Sequence, residues 1–544
     1  MTAQPQGFVR SLFLGRIENS AVMPFPHPDA DAIETAESVA EMISDWAEEA
    51  IDPEAIDRDK SIPQSVIEGM IELGLFGLTI PEEFGGAGCG QLAYTAALEA
   101  ISNRCASTVT VFAGHLGIGM KGILLYGTPE QKAKWLPALA SGERIAAFAL
   151  TEACAGSDAA ALRTTADPMP DGSWKLNGRK VWITNGGIAN LFTVFARTPD
   201  PENPDGPLME RPISAFVVCG NTDELPGLSI GAPELKMGLC GSSTTEVGFE
   251  DMVIPADSLL GEEGQGFKVA LNILNSGRHG LSACCTGQAK LARKLAVAHA
   301  KEREQFGVPI ASFGMIQEML AGMDADIYAM EASTKMTAGM IDLGRGETML
   351  EATCCKMYAT ERLWDICNNA LQVTGGTGFM REYPYERILR DARINMIFEG
   401  TNQVLRMMMG TQGLRPLIKD LSALATDAPT LEGVREDFAD EKAVFEALVT
   451  TFAGKARDVA EKHGKAARNA QPDLRRLSDM AIALYVTAAV IARVASPEAT
   501  PDEPELNVAR LACRRLARQF QTSAAETENP DDDLMAKVAS TMTA

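Results

Sequence analysis

Apolar residues recur three and four positions apart near the start of the chain. Val39, Met42, Ile43 and Trp46 fall at i, i+3, i+4 and i+7, which is one face of a helix. Ser61 and Pro63 mark another helix start, and Ile67, Met70, Ile71 and Leu75 follow at the same kind of spacing. Residues 80–88, rich in glycine, break the pattern with a flexible turn. Helical texture resumes over 91–139, interrupted near Gly127, Thr128 and Pro129. Around Glu143 the period changes. Residues 145–150 form a short apolar run, and 174–183 hold an Asn177-Gly178 pair between apolar residues, which signals a hairpin. Residues 191–196, 213–218 and 245–254 are further strand candidates, with Gly, Pro, Asn and Asp between them. From Gly264 the helical pattern returns and continues to about Gly413 with few prolines.

These textures predict an α+β multidomain chain that is mainly α. An N-terminal arm (1–28), with Pro24, Pro26 and Pro28, reads as extended. A helical domain (29–142), a compact β domain (143–258) and a second helical domain (259–426) follow. Residues 427–437 mix Pro429, Gly433 and acids and read as a linker. Residues 438–544 predict a further helical bundle, with helices over 442–464, 473–494 and 506–525 and a frayed end from Glu526. A doubly wound parallel sheet would alternate strands and helices throughout, and this chain does not. No GxGxxG follows a strand, so a Rossmann phosphate site has no support. The Gly375-Gly376-Thr377-Gly378 run taken alone reads equally as a helix stop.

Composition narrows the function classes. The 544 residues carry 73 acidic against 49 basic side chains, a net charge of -24. No basic face for nucleic acid stands out, and any phosphate-bearing ligand has to be held locally against this field. Eleven cysteines without CxxC spacing and five histidines without paired ligand spacing give no metal site and predict buried free thiols. The apolar cluster Leu12, Phe13 and Leu14 is too short for a signal-peptide core, and 29–59 is too acidic for a transit peptide. The longest apolar run, 480–492, falls short of a bilayer span. A cytoplasmic protein is expected, with weak peripheral membrane association left open.

Candidate chemistry concentrates in Ile397-Phe-Glu-Gly-Thr-Asn-Gln-Val-Leu-Arg406. Gly400 allows a sharp turn or close approach to a ligand. Thr401 and Asn402 are good N-caps, so Glu399 is placed at a loop-to-helix junction among apolar neighbours. Such surroundings favour proton uptake, as a base working near neutral pH requires. A helix-start glutamate favoured by the macrodipole fits the same position.

Five stretches resemble, in order, the motifs of the acyl-CoA dehydrogenases. They are Phe148-Ala-Leu-Thr-Glu-Ala-Cys-Ala-Gly-Ser-Asp158, Lys180-Val-Trp-Ile-Thr-Asn-Gly186, Arg303-Glu-Gln-Phe-Gly307, Gln372-Val-Thr-Gly-Gly376 and Ile397-Phe-Glu-Gly-Thr401. The resemblance runs over about 24–413. The C-terminal helical part and the sequence around Phe379-Met380 resemble the very-long-chain branch. It implies an N-terminal helical domain, a middle β-barrel or sandwich domain and a C-terminal four-helix bundle that hold FAD between domains and subunits.

The resemblance also implies residue roles. Glu399 matches the catalytic base that removes the α-proton of an acyl-CoA thioester while hydride leaves the β-carbon for the flavin. The Glu399 backbone N–H matches a donor to the thioester oxygen. Trp182, Ile183 and Thr184 match residues against the isoalloxazine ring, and Phe148, Leu150 and Thr151 match the strand meeting it from the other side. Gly156 and Ser157 match the turn over the pyrophosphate and the CoA part of the substrate. Ala153-Cys154 replaces the family's Pro-Gly pair there, which loosens the loop on paper. Arg303, Gln305 and Phe306 match residues reaching the neighbouring subunit's FAD. Gln372, Gly375 and Gly376 match the adenosine-side loop, and Thr401, Asn402 and Gln403 match cofactor contacts after the base. Asn275, Arg278 and Gly400 match the substrate side, although Arg278 reads equally as a buried structural arginine.

Gly114, Gly117, Gly119 and Gly122 crowd one segment and leave a tunnel unplugged or let helices pack closely. The expectation is α,β-dehydrogenation of long-chain acyl-CoA to trans-2-enoyl-CoA in fatty-acid β-oxidation, with electrons passing to electron-transfer flavoprotein. A homodimer is expected rather than a tetramer, since the C-terminal extension of that branch replaces a tetramer contact. Two other readings remain: a flavin oxidase or monooxygenase on the same fold, and a dehydrogenase-like assembly protein.

Overall fold

The computed structural model describes residues 7–204, 206–495 and 499–543, which form two compact units. One unit comprises residues 30–295 and 367–395. The other comprises 296–366 and 396–544 with the described N-terminal residues up to Asp29.

The first unit carries the sheet. Its strands are β1 (Ala146–Ala149), β2 (Thr165–Pro168), β3 (Trp174–Thr184), β4 (Leu191–Arg197), β5 (Ile213–Cys219), β6 (Leu228–Ile230), β7 (Thr244–Ile254) and β8 (Leu259–Leu260). Their order is β6-β7-β3-β2-β4-β5-β8, with β1 beside β4. Alternate side chains of β4 and β5 (Phe192, Val194, Phe216, Val218) meet Ala147, Leu176 and Val247 in one core. The β4, β5 and β7 patterns therefore match the expected strands closely. β2, β6 and β8 are too short to show a period and escape it.

Asn177-Gly178 is not a hairpin turn. β3 runs unbroken for eleven residues because β7, of equal length, pairs along it. The extra residue is absorbed as a bulge: the register shifts between Leu176 and Gly178, where the glycine sits at φ +153° and a Cβ would collide with Thr164. Thr128, where helical texture was expected to pause, caps the Pro129–Ala140 helix in a reciprocal capping box with Gln131.

In the second unit the N-terminal segment is not an extended arm. Residues 1–6 lie outside the described chain, but Phe8–Phe13 is a helix whose Phe8, Val9, Leu12 and Phe13 are fully buried. Their i, i+1, i+4, i+5 spacing is helical and was masked by the prolines downstream. Phe13 stacks edge-on against Phe452 at 4.7 Å between ring centroids, and Gly413 has no side chain where the Phe13 ring lies. The Val9 N–H donates to Glu351 Oε1 at 2.8 Å. Burial pushes the Glu351 carboxyl up to about 7, against the pull of that N–H. Its folded value exceeds the unfolded one near 4.3, so the stability it contributes is complete below about 4.3 and is lost as pH rises through 7. Glu351→Gln keeps an acceptor for Val9 and cannot ionise. It should therefore be more stable than the parent at pH 8, by at most about 4 kcal/mol, and match it near pH 4.5. Urea titrations at the two pH values check this; an equal difference at both rejects it.

Beyond residue 435 the expected bundle forms as Ala439–His463, Gln471–Ala495 and Glu503–Ala525. The Gln471–Ala495 helix, which contains the 480–492 run, is long and apolar enough by length and composition alone to cross a membrane, yet 94% of its apolar window is buried inside the protein. The end does not fray from Glu526: Asp532–Thr543 is a helix, started by the Arg476 fork on Asp532 at 2.6 and 2.7 Å. Its apolar residues stay exposed, so burial gave no cue to it.

Candidate active site

In the sheet-bearing unit, a buried ion pair joins the end of β1 to β3. Lys180 Nζ, fully buried, donates to Glu152 Oε1 at 2.8 Å and to the Leu150 carbonyl at 3.2 Å. Glu152 also accepts from the Arg163 and Thr164 N–H groups and the Thr164 hydroxyl at 2.5–3.0 Å. Burial lowers the Lys180 ammonium to about 8 even though Glu152 holds it up. For Glu152 burial pushes upward, but Lys180 and Thr164 outweigh it and keep the carboxyl below its ordinary value. The Val181 N–H donates to the Thr151 carbonyl at 2.9 Å. Leu150-Thr151 is thereby fixed beside Val181-Trp182. The loop after it is not loosened by Ala153-Cys154, since Glu152 and Ala155 exchange both backbone bonds at 3.0 and 3.2 Å.

A second bulge of β3 lies between Lys180 and Ile183. Trp182 there adopts φ +58° and turns its indole outward, 61% exposed, while Val181 and Ile183 are buried. Thr184 is half-buried, as is Phe148, whose ring meets Phe195 at 5.1 Å. Gly156 and Ser157 are exposed, and a Cβ at Gly156 would meet nothing. Gln372, Gly375 and Gly376 are also exposed, with open space at both glycines. Asn275 and Arg278 share one helical turn: the buried guanidinium donates to Asn275 Oδ1 at 2.6 Å, so arginine burial and pairing go together. The four glycines of 114–122 pack closely rather than leaving room. Cβ atoms at Gly117, Gly119 and Gly122 would press on Tyr94, Ala146 and Leu260 respectively.

In the other unit, β9 (Glu304–Gln305) and β10 (Val308–Pro309) form a small hairpin turned by Phe306 (φ +54°) and Gly307 (φ +83°). Arg303, Gln305 and Phe306 are exposed, Phe306 by 95%. Glu399 also has a left-handed backbone (φ +56°), followed by Gly400 at φ +91°. Its Oε2 atom is buried while the residue as a whole is half-buried. Thr401 caps the Asn402–Lys419 helix, its hydroxyl accepting from the Val404 N–H at 3.3 Å, as its residue type suggests. Gln403 is exposed, whereas Asn402 is buried and its amide is engaged by Lys356, Thr360 and Glu361.

Bulky L-residues rarely adopt left-handed backbone, and holding one there costs roughly 1–3 kcal/mol. Trp182, Phe306 and Glu399 all do so. Within the sheet-bearing unit, an outward indole and open glycine backbone suit a planar ligand with a phosphate-bearing tail. Sequence reading did not single out Glu152, Lys180 or Lys356 as site-building residues. A charged residue in an otherwise inward-facing run, as at Lys180, was the available signal.

Three contiguous segments match acyl-CoA dehydrogenase domains: N-terminal over 33–143, middle over 147–252 and C-terminal over 264–414. Residues 436–544 match the ACAD9/ACADV C-terminal domain. The chain is 37% identical to the mitochondrial very long-chain specific acyl-CoA dehydrogenase of Homo sapiens, covering 94% of this chain and 82% of that protein. It is 40% identical to an acyl-CoA dehydrogenase of Bacillus subtilis over 68% of this chain and 95% of the relative. A crystal structure of the Bacillus anthracis acyl-CoA dehydrogenase complexed with FAD superposes with a TM-score of 0.81 at 30% identity, covering 97% and 94% of the two chains. The chain belongs to the acyl-CoA dehydrogenase family, and with it to the FAD-dependent oxidoreductases acting on acyl-CoA thioesters.

Proposed function

We propose that Glu399 is the base of this dehydrogenase and that the substrates are long-chain acyl-CoA thioesters. The observation that carries the first part is the left-handed Glu399-Gly400 turn, which presents one carboxylate ahead of a capped helix with its Oε2 out of solvent. FAD, when bound, supplies the acceptor for the hydride leaving the β-carbon. Trp182, Thr184, Phe148, Leu150 and Thr151, with Gln372, Gly375, Gly376, Thr401 and Gln403, would hold it. Arg303, Gln305 and Phe306 would reach the FAD of the neighbouring subunit. Asn402, with its amide engaged, acts by setting the backbone around these contacts.

The α-C–H is a poor acid, so positioning is decisive. The Glu399 carboxylate takes the α-proton, and the Glu399 backbone N–H stabilises charge building on the thioester oxygen. Ser157, Asn275, Arg278 and Gly400 line the substrate side, with Arg278 oriented by Asn275.

The long-chain assignment rests on similarity to very long-chain specific relatives along nearly the whole chain, including the C-terminal segment. It no longer draws on the glycines of 114–122. Turnover on butyryl-, octanoyl- and palmitoyl-CoA should rise with chain length, and a maximum at four carbons would overturn the assignment. Electrons pass on to electron-transfer flavoprotein in this reading, and the protein is a homodimer acting in β-oxidation; light scattering that gives a tetramer removes the dimer.

A further inference from the structure

A chain of partly buried polar contacts runs, within one unit, from the Gln471–Ala495 helix to the backbone next to Glu399. Asp479 Oδ1 accepts from Arg406 Nε at 2.7 Å. The other edge of the Arg406 guanidinium grips Glu361 with two bonds of 2.7 and 3.0 Å. Glu361 Oε1 also accepts from Asn402 Nδ2 at 3.0 Å, and Asn402 Oδ1 accepts from Lys356 Nζ at 2.7 Å. Lys356 Nζ, on a side chain with no exposure, donates in turn to the Gly400 carbonyl at 2.9 Å. Two cations and two carboxylates thus alternate, which is how buried charge is tolerated. Burial pushes the Glu361 carboxyl upward, but Arg406 and Asn402 reverse the effect and hold it below its ordinary value. At Asp479 burial prevails over Arg406 and raises the carboxyl.

Helix capping does not require this arrangement, since Thr401 already caps Asn402–Lys419. What Lys356 adds is a bond to the carbonyl of the glycine following Glu399, in a turn where both residues have left-handed backbone. Such a turn persists only where its surroundings over-determine it. We propose that Lys356 is a positioning residue for the base, and that the Arg406–Asp479 link makes the C-terminal helical segment part of what holds Glu399 in place. The proposal rests on Glu399 being the base. The segment matched at 436–544 then contributes to the chemical step through the backbone of residues 399–402.

The test uses full-length holoenzyme and four variants: Lys356→Met, Lys356→Gln, Asp479→Asn and Glu399→Gln. Lys356→Met should lower kcat by ~10- to 100-fold, the scale of a misplacement near 1 Å, with KM within about threefold and flavin content unchanged. The primary isotope effect with α-deuterated acyl-CoA should rise, because proton abstraction becomes slower relative to other steps. Lys356→Gln, which can still donate one bond to Gly400, should recover part of kcat. Asp479→Asn, remote from the reacting atoms, should give a smaller loss of roughly 3- to 10-fold with the same isotope signature. Full flavin with kcat and isotope effect unchanged in Lys356→Met overturns the proposal. If that variant does not fold, Asp479→Asn decides alone, and an unchanged kcat and isotope effect there overturns it. Glu399→Gln separates the two levels: turnover by that variant removes the base itself, whereas an inactive Glu399→Gln beside a normal Lys356→Met removes only the positioning role.

Discussion

Glu399→Gln should bind FAD and remain yellow, yet fail to bleach anaerobically with palmitoyl-CoA and lose roughly 10⁴-fold in turnover, the upper end for a single proton-transfer group. The amide has nearly the shape of the carboxylate, so the φ +56° turn, the Thr401 cap and the Lys356 bond to Gly400 all survive the change. Only the capacity to accept a proton disappears. Loss of colour would therefore indicate a structural fault rather than a chemical one. Full bleaching by the variant would remove Glu399 from the base role. Glu399→Asp is a useful companion: it keeps the charge but withdraws the carboxylate by one methylene, and should retain a small activity.

The second large effect is expected from Lys180→Met. Removing one partner of a buried ion pair strands the other, and such changes cost about 3–5 kcal/mol. Glu152 would then stay buried with its backbone and Thr164 donors but without its counter-charge. The pair also fixes Leu150-Thr151 beside Val181-Trp182, so the variant should lose FAD more readily than the parent. Denaturant unfolding of the holoprotein and flavin retention on a desalting column measure the two consequences. A stability change below about 1 kcal/mol with full flavin retention would show that the pair is dispensable. Glu152→Gln should be milder, because an amide oxygen can still accept from Thr164.

Much of the fold could be read along the chain, for identifiable physical reasons. The loss of helical texture near Glu143 marks the start of the sheet, and β4 and β5, buried on both faces, read as short continuous apolar runs. Thr401 could be read as a cap because capping is local in sequence. Asn177-Gly178 misled because a bulge and a type I′ turn use the same residues, and only pairing with a distant β7 decides between them. The Phe8–Phe13 and Asp532–Thr543 helices lie at the margins of the described chain, where prolines in one case and exposure in the other hide the pattern. Glu399, Trp182 and Phe306 could be named from short motifs, but the backbone that holds them could not. Lys180 meets a carboxylate 28 positions away and Lys356 a carbonyl 44 positions away, and neither separation leaves a periodic trace.

The Phe8–Phe13 helix has a consequence for how the protein is made. Its four apolar residues leave the ribosome early, yet Gly413, Phe452 and Tyr485 belong to surfaces synthesised about 400 residues later or more. At translation speeds of ~5–20 residues per second, the segment waits roughly 20–80 s for its resting place. During that interval it is a sticky, unprotected tag that a holdase or a protease can find, and its docking comes among the last events of maturation.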